Sequence, residues 1–285
     1  MDIKASQVKE LRDRTGVAMM DCKKALVECE GNIEKALDFL RSNSALKAEK
    51  KSSRIAADGI LITSVKDDYA TIVELNSETD FAAKDSNFLS FGQKIKEYIS
   101  NVKITDASSF LDSPLEEERK SLIQTIGENI QIRRLETLEF DSDMSVGVYL
   151  HSDTKLGSIV VVKNGNDIIA KDIAMHVSAF NPLCISQEDM DQDALERERA
   201  IYQNQALDSG KPKEIMDKIV EGKVKRFLSE VSLLSQAFVK DSEITVSEYL
   251  EKDNASVISF TRLKVGEGIE VETKDFAEEV AEQLK

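Results

Sequence analysis

Side chains able to do acid–base, nucleophilic or metal chemistry are thinly spread along this sequence. There are 2 histidines, His151 and His176, and 3 cysteines, Cys22, Cys29 and Cys184. The cysteines form no CxxC pair, and with so few soft ligands no convincing closed four-ligand zinc site can be assembled. Cys22 and Cys29 recur at a helical interval, where they read as small buried hydrophobes with reduced thiols. His176, in Ala174-Met175-His176-Val177, sits in an apolar helical run and reads as a structural histidine. His151, beside Ser152-Asp153, ends a strand, and a loop position keeps a binding role in view. No GxxxxGK[ST] phosphate loop, GxSxG elbow or HExxH helix occurs. Gly266-Glu267-Gly268 opens a GxG, but Val271 stands where a third glycine would be, so it is no dinucleotide fingerprint. The abundant carboxylates read as solvated surface rather than a hydrolytic pair. The expectation is a chain with no catalytic residues, no metal and no cofactor, and not an enzyme.

One segment stands apart: Asn76-Ser77-Glu78-Thr79-Asp80-Phe81-Ala82-Ala83-Lys84, an aromatic beside an acid where a strand ends. Spacing alone favours Thr79 as a helix cap, with Phe81 packed in the core. On the functional alternative the phenyl ring needs a partner's apolar pocket, while Asp80 disturbs a metal or polar network there.

The elements that must position these residues follow from periodicity. Residues 1 to about 45 read as three short helices, Ser6 to Arg14, Met20 to Cys29 and Ile33 to Arg41, punctuated by Thr15-Gly16 and Gly31-Asn32. Ser44 to Ser53 reads as a linker, and its Lys47, Lys50, Lys51 and Arg54, with no aromatic between them, as a solvated charge run rather than a nucleic-acid contact. Strands are expected over Gly59 to Val65 and Tyr69 to Leu75, then helices through Phe88 to Ile99 and Glu116 to Ile126, and a strand over Ile130 to Glu139. A similar order repeats, with strands Val146 to His151 and Ser158 to Lys163, helix Asp167 to Ala179, and a late strand Val257 to Val265; this pattern suggests an internal duplication. Glu188 to Leu207 and Lys213 to Arg226, separated by Asp208-Ser209-Gly210-Lys211-Pro212, predict a projecting antiparallel helical hairpin. Thr273 to Leu284 predicts a last amphipathic helix, with Phe276, Val280 and Leu284 in register. The boundaries implied are 1–54, 55–140, 141–272 with the hairpin inserted at about 187–227, and 273–285.

Composition narrows the class further. The 285 residues carry 53 Asp+Glu against 38 Lys+Arg, a net charge of -15, and such a field repels polyphosphate and argues against nucleic-acid binding. Hydrophobic residues make up 41%, enough for a folded core. The opening Met1-Asp2-Ile3-Lys4 has no apolar targeting region and no long apolar run follows, so a cytoplasmic chain outside the membrane is expected.

Taken in order, several short stretches resemble the bacterial elongation factor Ts family. They are Leu11-Arg12-Asp13-Arg14-Thr15-Gly16, Met19-Met20-Asp21-Cys22-Lys23-Lys24-Ala25-Leu26, Ala56-Ala57-Asp58-Gly59, Thr79-Asp80-Phe81, Ile126-Gly127-Glu128-Asn129-Ile130, Ala174-Met175-His176-Val177, and Ser209-Gly210-Lys211-Pro212 with Glu221-Gly222-Lys223. The resemblance implies an α+β fold: an N-terminal ubiquitin-associated-like (UBA-like) three-helix module, a duplicated α/β core with antiparallel sheets, a projecting helical hairpin and a C-terminal helix. It implies guanine nucleotide exchange on elongation factor Tu in protein synthesis, promoting GDP release without binding nucleotide itself. Thr79, Asp80, Phe81 and Ala82 would then disturb the partner's Mg²⁺ site, with Arg12, Met19, Met20, Lys23, His151 and Val239 as further contacts. Ala82 stands where the family commonly has valine, and Lys240 where some relatives have methionine. The rival reading is a non-catalytic UBA-like adaptor or ribosome-associated binding protein; a homodimer through the hairpin is a further possibility.

Overall fold

The computed structural model describes residues 3–207 and 212–270. At the N-terminal end, α1 (Ala5–Thr15), α2 (Met19–Glu28) and α3 (Ile33–Lys51) bury Val8, Leu11, Val17, Cys22, Ala25, Leu26, Ala36 and Leu40 against one another. Gly16 ends α1 in the left-handed conformation, and the Asn32 side chain caps α3 by accepting from the Lys35 N–H at 3.0 Å. Helix α3 corrects the expected linker: it runs on to Lys51. Alanine and lysine favour helix, and Ala36, Leu40, Ser44 and Ala48 continue one buried row at four-residue spacing. Lys47 is not simply solvated either, since it pairs with Asp21 at 2.8 Å.

The rest of the fold repeats one topology. In the first unit β1 (Asp58–Val65) and β2 (Tyr69–Ser77) form a hairpin. Then come the single turn α4 (Asp80–Ala83), α5 (Ser86–Asn101) and α6 (Pro114–Ile126), before β3 (Gln131–Glu139) returns beside β2. In the second unit β4 (Met144–Leu150) and β5 (Leu156–Lys163) pair, and α7 (Asp167–Phe180) covers them. An excursion follows through α8 (Gln192–Leu207), α9 (Lys213–Val231), the ribbon β6 (Ala237–Phe238) and β7 (Asp241–Thr245), and α10 (Val246–Glu251). Strand β8 (Ser256–Lys264) then pairs with β5, so both sheets are antiparallel with the late strand beside the second one.

The two sheets face each other. Leu61, Ala70 and Ile72 of the first meet Ile159 and Leu263 of the second. The alternate residues point the other way: Ile62, Val73 and Leu75 onto Phe88, Phe91, Ile95 and Ile99 of α5, and Val160 and Val162 onto α7. With both faces covered, β2 is buried along its whole length. Gly147 lets α7 approach β4, because a Cβ there would lie 1.9 Å from the Ala170 carbonyl oxygen.

Helices α8 and α9 lie side by side around Ala206, Val220 and Val224, with Leu195, Tyr202, Met216 and Leu228 partly buried beside them. This small cluster is separate from those of the sheets. Helix α9 continues to Val231 rather than ending at Arg226, because Leu228 extends the apolar row. The connecting turn at 208–211 and the expected helix from Thr273 to Leu284 lie outside the described residues.

A buried acid ties the units together. The Glu74 carboxylate, 0% exposed in the middle of β2, accepts from Arg134 Nε at 2.5 Å, Arg133 Nη1 at 3.3 Å, Asn76 Nδ2 at 2.9 Å and the Gly266 N–H at 2.8 Å. Arg133 and Arg134 reach on to the Glu267 and Lys264 carbonyls beyond and at the end of β8. Gly266 has φ 75°, and a Cβ there would lie 2.2 Å from the Ala57 carbonyl oxygen, so the close approach needs glycine. Burial pushes Glu74 up, but the Gly266 amide, Asn76 and Arg134 outweigh it and hold the carboxyl below its ordinary value.

Removing the acid strands two guanidinium groups and an amide, so Glu74→Ala is expected to cost about 3 kcal/mol in urea unfolding at neutral pH. The group binds its proton less readily in the folded state than in the unfolded one. Its contribution is therefore present above the unfolded value of about 4.3 and is lost as pH falls through the lower folded value. The Ala variant should show less acid-dependent loss of stability than the parent over that window.

Candidate functional site

The Thr79 loop leaves β2 at Ser77, whose hydroxyl donates to the Thr79 carbonyl at 2.9 Å. Thr79 caps α4 as expected, its Oγ1 accepting from the Ala82 N–H at 3.2 Å. Phe81 overturns the expectation of a core residue: it is 81% exposed, the largest fractional exposure of any large hydrophobic among the described residues. The reason is the helical period. In a single turn capped by Thr79, Ala82 and Ala83 are the residues directed inward, and both are buried. Ala82 therefore supports the turn from below, and its small side chain leaves α4 close against β1 and β2. Asp80 points outward and pairs with Lys84 at 2.7 Å. The Lys84 hydrogen bond holds the Asp80 carboxyl below the usual range, and the Lys155 charge adds to the effect.

Lys155 belongs to the turn between β4 and β5 that also carries His151. This turn is fastened to β1 by the Leu61 N–H donating to the Thr154 carbonyl at 2.7 Å and by Lys155 pairing with Asp58 at 2.8 Å. The fold thus brings His151 to the side of the molecule that carries α4. Its half-exposed imidazole is held through Nδ1 by Asp153 at 2.9 Å.

The remaining candidates stand on other elements. Met19 and Met20 begin α2 with their side chains exposed, and Arg12 and Lys23 are exposed nearby on α1 and α2. Met20, Lys23, Lys24, Val27 and Glu28 line a shallow hollow of about 200 Å³. Two adjacent exposed methionines and Val27 on one small helix offer an adaptable apolar surface. Val239 lies in the turn between β6 and β7, and its position is set by α7. Its N–H donates to His176 Nδ1 at 3.1 Å, which leaves Nε2 as the protonated nitrogen donating to Gln236 Oε1 at 2.9 Å. The neighbouring Lys240 is drawn to Asp172 at 2.5 Å, and Asp172 also accepts from Tyr249 Oη at 3.0 Å, whose hydroxyl pKa burial and that bond push up to about 12.

His176 is the structural histidine that its apolar run predicted. It is fully buried and stacks on Phe180 with ring centroids 4.7 Å apart. Burial holds its pKa below that of a free imidazole, although the Gln236 bond pulls it partly back.

Sequence reasoning missed Glu128 and Asn129. The Glu128 carboxylate accepts from the Thr79 N–H at 2.9 Å and the Thr79 hydroxyl at 2.7 Å, while the Asn129 N–H donates to Glu78 at 2.6 Å. Their only mark in the sequence is the short run Gly127-Glu128-Asn129-Ile130, and nothing in that run says that it lies against Thr79. Among the described residues no group of three or more His, Cys, Asp and Glu side chains is placed to hold a metal, and no helix is long and apolar enough to cross a membrane.

The family model described as elongation factor TS matches residues 78–267. A protein named elongation factor Ts from Hahella chejuensis is 50% identical over 285 residues, covering 99% of each chain. Its namesakes from Teredinibacter turnerae and Hydrogenovibrio crunogenus are 46% and 45% identical over 287 and 289 aligned residues, covering 97% or more of every chain involved.

The His176 geometry makes a pH prediction. An unfolded imidazole takes up a proton near about 6.5, whereas the folded one does so only at lower pH. Stability is therefore unaffected above that value and falls as pH drops through it toward the folded value, because the unfolded state then binds more protons. His176→Phe removes both hydrogen bonds and should cost about 2 kcal/mol in urea unfolding at pH 7.5. The variant should also lack the part of the acid sensitivity that begins near 6.5.

Proposed function

Because the chain belongs to the elongation factor Ts family, we propose that it serves translation as a guanine nucleotide exchange factor for elongation factor Tu, and that Asp80 and Phe81 act by disturbing the partner's Mg²⁺ site. The observation that carries the mechanism is the exposed phenyl ring of Phe81 on a turn whose base is buried. Leaving such a ring in water costs about 1.5–3 kcal/mol that a partner's apolar pocket would recover, and a ring on a fixed turn needs little reorganisation to enter it. Asp80 sits beside it and brings a carboxylate, which ionises readily, into the same contact. A negative charge placed near a bound cation competes for the groups that hold that cation.

No bond has to be made or broken by this chain, which is why no catalytic group is needed. The factor has only to bind the nucleotide-free partner better than the GDP-bound one. By linkage, whatever factor it weakens GDP binding by, GDP weakens its own binding by the same amount. An acceleration of about 10⁴ requires the barrier to fall by roughly 5.5 kcal/mol, within reach of one buried aromatic acting with a disturbed cation site. Arg12, Met19, Met20 and Lys23 on the N-terminal helices, and His151 and Val239 on the second unit, would hold the partner while Phe81 works. Such multi-point contact supports placing the wedge accurately, since each patch alone is small.

Release of fluorescent GDP from elongation factor Tu, followed with and without the chain, tests the reading. Strong acceleration is expected; none, with an active partner, would leave a binding protein without exchange activity, the adaptor reading. Phe81→Ala should slow the accelerated release roughly thirtyfold, corresponding to about 2 kcal/mol, with the fold unchanged by circular dichroism.

A further inference from the structure

We propose that Glu128 is the positioning residue that holds Phe81 in its outward pose, and so sets how fast GDP leaves the partner; the inference rests on the exchange function proposed above. The case begins with the weakness of α4. Its four residues make a single turn, too short to persist by its own hydrogen bonding. At many helix starts a Glu or Gln three residues past the cap reaches back to the cap's own N–H. Here that position is Ala82, which is buried and has nothing to offer.

Glu128, 49 positions along the chain, takes over the part. One carboxylate oxygen accepts from the Thr79 N–H and the other from the Thr79 hydroxyl. The second bond fixes more than the threonine. A hydroxyl has one proton, and spending it on Glu128 turns a lone pair toward the Ala82 N–H, which is the cap bond of α4. Cap, turn and ring pose thus depend on the same carboxylate.

The support behind Glu128 is firm. Lys51 Nζ donates to the Gly127 carbonyl, and Asn129 Nδ2 donates to the Arg54 carbonyl at 2.8 Å. The Asn129 N–H returns a bond to Glu78, on the other side of the loop. The segment 127–129 therefore lies between the end of α3 and the Thr79 loop, and joins the N-terminal helical unit to the base of the Phe81 turn. Glu128 itself is only half-buried and belongs to none of the apolar clusters, so its removal leaves the core intact.

The test uses the full chain with 4-fluorophenylalanine at Phe81, and compares Glu128→Ala and Glu128→Gln with the parent. In fluorine NMR the parent should give one sharp ring resonance, and Glu128→Ala a broadened or multiple one. In GDP release from elongation factor Tu, the maximal rate at saturating Glu128→Ala should fall about tenfold, while the concentration giving half-maximal effect should change by less than about threefold. Glu128→Gln keeps the size and one acceptor oxygen, so it should fall between the two; a merely structural loss would instead lower the amount of active factor and leave the maximal rate per folded molecule unchanged. Parent-like fluorine spectra and maximal rates for both variants, with Phe81→Ala impaired, would overturn the inference while the exchange function stood. A parent chain that fails to accelerate release would overturn both.

Discussion

Glu74 is the constraint on which the architecture turns. A carboxylate in the middle of a fully buried strand is unfavourable unless donors surround it, and four groups converge on this one. The donors come from three places: its own strand through Asn76, the adjacent strand through Arg133 and Arg134, and the far unit through Gly266. The sheets' apolar faces would stack in several relative positions, because apolar contact is not directional. The charge requires one of them. Arg133 and Arg134 also bond to carbonyls just beyond and at the end of β8, so the same network that neutralises the acid fixes the second unit against the first.

In the proposed exchange, that fixed frame is what would make an exposed aromatic useful rather than merely costly. Strand β2 is covered on both faces, and the turn bearing Phe81 begins four residues after Asn76, one of the groups around Glu74. The turn's two alanines, Ala82 and Ala83, are buried at its base. The second unit's turn carrying His151 is tied to β1 by backbone and charge, so side chains far apart in sequence share one side of the molecule. Val239 is treated similarly by His176, whose neutral ring spends one nitrogen on the turn and the other on Gln236.

Helix propensity and apolar spacing make most elements legible in the sequence. The repeat of hairpin, helix and late strand was visible, as was the buried role of His176 within an apolar run. The end of α3 was obscured because its buried row turns to serine and alanine, which carry little hydropathy, so a continuing helix looked like a linker. Strands β6 and β7 and helix α10 were too short for periodicity to register. Spacing alone put Phe81 in the core because a four-residue turn is too short for its inward and outward positions to show as a pattern in the sequence; the resemblance placed it outward.

By itself, then, the sequence determined what is local or cumulative: where helices and strands run, the absence of the motifs that cradle phosphate or build a nucleophile, the acidic surface, and the Thr79-Asp80-Phe81 segment as the one departure from a bland pattern. The tertiary structure decided which of those residues face water and which meet. Glu74 with Gly266, and Glu128 with Thr79, are pairs separated by long stretches of chain, and no spacing rule links them. A side chain's burial depends on what the rest of the chain brings to it, and that information appears only when the sheets have closed on each other.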